Sequence, residues 1–152
     1  MIKVENVKYK VVKEPFLGLP KEEPRLSDQV YQSRLDNTLK AMESQDLDFI
    51  LVYADREHYG NFKYLTGFEP GFEEAVLVLD KSGKAHLLLG NECIGMAEYS
   101  RTPAEGILYH AFSLPSQPVV GSIDLEEVLR EIGINDGDKA GIVGWKLLYP
   151  DF

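Results

Sequence analysis

Asp46-Leu47-Asp48-Phe49-Ile50-Leu51-Val52-Tyr53 is the stretch that decides the fold. Its last five residues are an unbroken apolar run of the kind found in strands covered on both faces. Upstream, Tyr31, Leu35, Leu39 and Met42 recur about one helical turn apart, with Arg34, Asp36, Lys40 and Glu43 between them. Ser27 or Asp28 can cap the start of this helix by accepting a backbone N–H. A helix that feeds a buried strand predicts an α/β domain.

Working outward, Ala75-Val76-Leu77-Val78-Leu79 and Ala85-His86-Leu87-Leu88-Leu89 flank the polar linker Asp80-Lys81-Ser82-Gly83-Lys84. This pattern predicts an antiparallel hairpin with Gly83 at positive φ. Asn91 is placed to cap a short helix running to Tyr99, and Ile107-Leu108-Tyr109-His110-Ala111-Phe112 reads as a fourth strand. Leu125, Val128, Leu129 and Ile132 line one face of a helix. Ser122 or Asp124 caps that helix, Glu126 and Glu127 suit its positive end, and Gly133 closes it with Ile134 packing back. Asp136-Gly137-Asp138 then turns into a last strand, Ala140-Gly141-Ile142-Val143-Gly144-Trp145. The expected fold class is α/β, a mixed β-sheet of about five to six strands with helices on its faces.

The chain has 152 residues, with 25 acidic against 16 basic side chains and a net charge of −9. That length suits one domain, and the acidic balance argues against nucleic acid or an anionic membrane as partner. A single cysteine, Cys93, cannot form an internal disulfide. No apolar run approaches the ~18–20 residues that cross a bilayer, and Met1-Ile2-Lys3-Val4-Glu5-Asn6 lacks the apolar core of a secretory signal, so the expectation is a cytoplasmic domain. Charge is uneven: residues 1–25 carry six bases and four acids, net +2, which leaves −11 for the remainder. Pro15, Pro20 and Pro24 break this stretch. Residues 1–26 therefore read as an extended arm, able to dock on its own acidic body, and residues 27–152 as the domain.

Chemistry is sparse. His58, His86 and His110 share no metal-ligand spacing, and His86 and His110 fall inside predicted strands as structural, hydrogen-bonded histidines. Asp136-Gly137-Asp138 lacks the remaining ligands of a calcium loop, and Gly141-x-x-Gly144 lacks those of a phosphate loop. Cys93 lies at a helix start, where the dipole would lower its pKa, yet no histidine is close in sequence and it reads as a small buried apolar group. Glu69, Glu73, Glu74 and Asp80 read as a solvated rim. The unusual stretch is the loop Asp55-Arg56-Glu57-His58-Tyr59-Gly60-Asn61-Phe62-Lys63-Tyr64-Leu65-Thr66-Gly67-Phe68, with four aromatics, a histidine and an arginine at the end of the buried strand. Aromatic faces with Arg and His tips suit a small anionic or peptide-like group. Equally, Tyr64, Leu65 and Phe68 could cover the sheet edge.

Within that loop, Asn61-Phe62-Lys63-Tyr64-Leu65-Thr66-Gly67-Phe68 resembles the Asn-x-x-Tyr-Leu-Thr-Gly-Phe segment in the amino-terminal domain of the creatinase/prolidase/aminopeptidase P (pita-bread metallopeptidase) family. Arg34-Leu35 through Met42 to Asp48-Phe49-Ile50-Leu51-Val52, then Glu74-Ala75-Val76-Leu77-Val78-Leu79 and Ala140-Gly141-Ile142-Val143-Gly144, are similar to its other segments in order. Gln45-Asp46 departs from the family's usual Gly before Leu-Asp, and residues 1–26 match nothing in it.

The resemblance implies a creatinase/prolidase N-terminal domain with a ribonuclease H-like motif, non-catalytic by itself. It implies a parent Xaa-Pro metallopeptidase, aminopeptidase P-like or prolidase-like, that works as a homodimer on peptide substrates. Two divalent metal ions of the Mn, Co or Zn class belong to the C-terminal catalytic domain, whose five ligands have no counterpart in this chain. The expected junction with it falls near Tyr149-Pro150-Asp151-Phe152. Cleft-lining roles for Tyr64 and Phe68, with Asn61, Thr66 and Gly67 shaping the turn, follow from the resemblance, whereas Arg56 and His58 are added on chemical grounds. The same scaffold also serves stand-alone binding modules, such as histone-chaperone relatives, and creatinase-type C–N hydrolases.

Overall fold

The computed structural model describes residues 8–19, 22, 25–118, 121 and 123–144. Trp145, Ser122, Pro20, Pro24 and the segment 149–152 lie outside the described residues. The elements are α1 (Asp28–Ser44), β1 (Phe49–Ala54), α2 (Gly60–Thr66), β2 (Ala75–Asp80), β3 (Ala85–Leu89), β4 (Glu105–Leu108), α3 (Leu125–Ile132) and β5 (Ala140–Val143). Two 3₁₀ segments, Ile94–Tyr99 and His110–Phe112, flank β4 in sequence.

Among the described residues the sheet has five strands in the order β4-β3-β2-β1-β5. β1 pairs antiparallel with β2 and parallel with β5, while β3 pairs antiparallel with β2 and parallel with β4. Strand periodicity divides the core. Ile50, Val52 and Ala54 of β1 join Leu77, Leu79 and Leu87 on the face covered by Leu35 and Met42 of α1 and by Phe62 and Leu65 of α2. Tyr53, Val76, Val78 and Leu88 face the other way, against Val128 of α3 and Phe112. The central strand is therefore covered on both sides, as its apolar run requires.

The local signals mostly resolve as expected. Gly83 takes φ +92° in the hairpin. Asp124 accepts the Glu126 N–H at 3.0 Å, and Gly133 closes α3 in the left-handed region while the Ile134 N–H reaches the Leu129 carbonyl at 3.0 Å. Asp46 takes φ 55° where the family pattern has glycine, a conformation that Asp tolerates better than most side chains.

Five expectations are corrected. Ser27 occupies the cap position of α1 but makes no side-chain cap bond, and the Asp28 carboxylate is turned to Arg101 instead of to the helix N–H groups. The helix expected from Asn91 to Tyr99 is a 3₁₀ segment beginning at Ile94. The fourth strand ends at Leu108, before His110–Phe112 turns into a 3₁₀ segment that packs Phe112 edge-on against Tyr109, 4.7 Å between ring centres. His110 is therefore not in a strand. The loop from Asp55 to Phe68 contains a helix, α2.

His86 of β3 is structural but not hydrogen-bonded, which is the fifth correction. It is buried, neither ring nitrogen has a hydrogen-bond partner among the described residues, and the nearest carboxylate oxygen, Oε2 of Glu105, stands 3.7 Å from Nδ1. Burial, helped by Lys84, lowers its pKa below the ordinary 6.5. The unfolded chain thus takes up the proton more readily than the folded one, so His86 leaves stability intact above the ordinary value and erodes it as pH falls through that value. Urea unfolding midpoints should drop from about pH 7.5 to about pH 5, and His86→Leu should lose less of its midpoint over the same interval.

Candidate functional site

The carboxyl end of β1 is a polar rim built around two acids. Asp55 is buried, and its Oδ1 accepts the backbone N–H groups of Glu57 at 2.8 Å and His58 at 2.7 Å. The same oxygen lies 3.0 Å from Nδ1 of His58, so one carboxylate fixes both the turn and the imidazole that projects from it. His58 remains half exposed. Beside it, the buried Tyr53 hydroxyl donates to Oε1 of Glu74 at 2.9 Å, and burial together with that bond pushes the phenol pKa well above its usual range. The Arg56 guanidinium lies over the Phe72 ring, 4.9 Å from its centre, and Phe72 is 70% exposed. Arg56 makes no ion pair among the described residues. A cation held flat on an exposed aromatic, next to a fixed imidazole, can engage a carboxylate or a peptide carbonyl.

α2 sets where this rim stands. Gly67 ends the helix at φ +84° and donates to the Lys63 carbonyl at 2.9 Å. A Cβ at Gly67 would come within 2.5 Å of Cγ of Arg101, so the glycine is required by space as well as by angle. The next three carbonyls are satisfied from outside: Tyr64 by Nη1 of Arg34 at 2.8 Å, Leu65 by the Thr102 hydroxyl at 3.0 Å, and Thr66 by the Arg101 N–H at 2.8 Å. The Thr66 hydroxyl turns back to the Phe62 carbonyl at 2.9 Å.

The residues singled out in the sequence are thus split. Arg56 and His58 share the β1 rim. Tyr64 is half exposed on α2 under the Arg34 guanidinium, 4.3 Å from its ring centre. Asn61 and Tyr64 line an open groove of about 440 Å³ with Arg34, Leu65, Ile50 and Ile142. Thr66 and Gly67 shape the end of α2, and Phe68 is buried edge-on against Phe62, 5.3 Å between ring centres. Arg34, Asp55, Arg101, Thr102 and Phe72 were not singled out as functional. Only Asp55 left a sequence signal, an acid three residues before a histidine at a strand end.

Glu73 and the Cys93 thiol are committed to structure. Glu73 is buried, not solvated, and its two oxygens accept the N–H groups of Glu92 at 3.0 Å and Cys93 at 2.9 Å. Gly90 gives it room, since a Cβ there would lie 2.6 Å from the carboxylate. Cys93 donates to the Pro70 carbonyl, and its pKa is pushed up to about 11 by burial and by Glu73, opposite to the effect expected of a helix start. Among the described residues no three His, Cys, Asp or Glu side chains converge to hold a metal ion, so no metal-dependent step is assigned to them. No helix among them is long and apolar enough to cross a membrane.

Asp55→Ala removes two buried charge-assisted bonds and should cost about 2 kcal/mol in chemical unfolding, whereas His58→Ala, at a half-exposed position, should cost less than about 0.5 kcal/mol.

Comparison with known proteins follows the same outline. A model of the creatinase/prolidase N-terminal domain matches residues 34–144. Among solved structures, the N-terminal, creatinase/prolidase-like domain of a metallopeptidase from Corynebacterium diphtheriae superposes with a TM-score of 0.51 at 18% identity, covering 74% of each chain. An Xaa-Pro dipeptidase from Bacillus anthracis gives 0.52 at 16% identity, over 78% of this chain and 28% of that one. The N-terminal domain of a FACT complex subunit from chickpea, Cicer arietinum, gives 0.51 at 17% identity, over 80% of this chain and 31% of that one. The chain therefore spans under a third of the latter two. No curated protein matches the sequence.

Proposed function

Because this chain belongs to the creatinase/prolidase N-terminal domain family, we propose that it is the non-catalytic, substrate-flanking domain of an Xaa-Pro metallopeptidase. In this reading a C-terminal domain holds the two divalent metal ions, of the Mn, Co or Zn class, and the domain described here forms one wall of the peptide cleft. It also contributes contacts to a homodimer in the cytoplasm. Arg56 and His58 orient the peptide from the β1 rim, Tyr64 contributes an aromatic edge from α2, and Phe68 acts through the core that supports them. When bound, the metal pair supplies an activated water for attack on the peptide carbonyl.

The observation that carries this reading is the direction of β5. It runs parallel to β1, so the chain leaves the sheet at Gly144 on the same rim as Asp55, Arg56 and His58. The contact is close: a Cβ at Gly144 would stand 2.8 Å from the Tyr53 carbonyl oxygen. A domain following β5 departs beside the one cation and the one imidazole that β1 presents. The chain's single thiol is held out of reach, since Cys93 is buried with its pKa pushed up to about 11.

The test is turnover of Xaa-Pro peptides by the natural gene product. Hydrolysis should require added divalent metal and stop with chelator, and Arg56→Ala should raise KM by about tenfold with kcat within about twofold. Residues 1–152 alone should show no metal-stimulated hydrolysis. A gene product that binds metal but cleaves no Xaa-Pro peptide would sink the peptidase reading, and turnover of creatine instead would move the domain to the C–N hydrolases.

A further inference from the structure

Residues 8–19 present an unusual surface. Tyr9, Val11, Phe16, Leu17 and Leu19 are 84–95% exposed, and no helix or strand forms among them. Apolar side chains in such number are seldom left to solvent unless something covers them. Their order is that of a strand with two faces: Tyr9 and Val11 alternate with Lys8, Lys10 and Val12.

A free strand edge exists to receive them. Among the described residues nothing lies beyond β4 in the sheet, and its Glu105, Gly106 and Leu108 are exposed. An uncovered edge of this kind is a template for pairing. The arm is also tethered nearby. Nη2 of Arg101, four residues before β4, donates to the Leu26 carbonyl at 3.2 Å, so the arm departs from the domain close to where β4 begins. The chain from Lys13 to Leu26 can span at most roughly 45 Å, enough to reach a β4 edge brought alongside.

We propose that residues 8–13 add as a strand to β4 of a second copy of this chain, each arm exchanging onto the other's edge. The inference rests on the dimer reading above and names its surface. A parallel register sets Lys10 beside Glu105 and Val12 beside Ile107 on one face of the sheet. Glu105 is free to receive the lysine, its side chain being 68% exposed. The second copy is the occupant because the arm lies exposed on its own domain and because the charges are complementary. Residues 1–25 carry +2 and the rest −11, so two acidic bodies that repel are bridged by two basic arms. Reciprocal exchange also closes the pair as a two-fold assembly with no edge left to propagate.

Sedimentation of the chain and of arm variants decides the matter. None of these changes except Glu105→Lys touches the folded body. Wild type should be dimeric, and deletion of residues 1–19, or Val11→Pro with Val12→Pro, should weaken the dimer by at least about tenfold. Lys10→Glu should weaken it as well, and pairing that change with Glu105→Lys should restore affinity to within about threefold of wild type. A dimer unaffected by deletion of the arm overturns the strand exchange and leaves the dimer reading standing. A wild-type chain that stays monomeric overturns the strand exchange, and a full-length gene product that is also monomeric overturns the dimer reading with it.

Discussion

The rest of the structure depends on how the last turn of α2 is satisfied. A helix of seven residues is too short to be stable alone, and its terminal carbonyls would face the crowded side of the sheet unpaired. Each of them instead finds a donor, from Gly67, Arg34 of α1, Thr102 and the Arg101 backbone. These donors come from three separate parts of the chain, so satisfying one short helix also locks α1 and the segment before β4 to it. Tyr31 sits between the Arg34 and Arg101 guanidiniums, 4.9 and 4.6 Å from their central carbons, and fills the space between the same two anchors. With α2 fixed at its far end, the turn from Asp55 to Tyr59 has little freedom left, and the rim inherits its position from the helix.

Buried carboxylates do the same work on a smaller scale. Asp55 and Glu73 each accept two backbone N–H groups of a neighbouring turn, which organises irregular chain where neither helix nor strand bonding is available. Glu73 is the more instructive, because it supports the turn into the 3₁₀ segment and at the same time disfavours ionisation of Cys93. The feature that could have made Cys93 a nucleophile, a helix start rich in N–H donors, is already occupied by an acid.

What was legible in the sequence follows from range. Periodicity within a few residues located α1, α3, β1 and the hairpin, because one face of each element is buried and the spacing records it. The Asn61-to-Phe68 resemblance marks the end of α2, though the local pattern of the helix itself reads as loop; Gly60 and Asn61 are weak helix formers and the donors that hold its far end are remote. Thr102 is 37 residues from the carbonyl it caps and Arg34 is 30 from its own, so no local pattern could reveal either. The same holds for β4. Its run of apolar residues continues to Phe112, but pairing stops once the Tyr109 N–H meets the Leu89 carbonyl at the end of β3, and the chain turns inward.

The two ends of β1 differ in how their charges are matched. At its start, Asp48 accepts Lys81 Nζ at 2.7 Å and the Lys139 N–H at 3.0 Å, and Lys139 also pairs with Asp46. The Lys139 backbone bond and the Lys81 ammonium hold the Asp48 carboxyl below the usual carboxylate range. Charges there are matched within the chain, and they serve to register β5 against β1. At the other end the pattern reverses: the acid, Asp55, is turned inward onto backbone, while Arg56 is left stacked on an exposed ring. The Arg56 guanidinium therefore stays on the surface, stacked on Phe72, while the neighbouring acid is spent on backbone. Because β5 runs parallel to β1, it ends on that same rim, and the register set by Asp48 and Lys139 at one end of β1 fixes where β5 ends at the other.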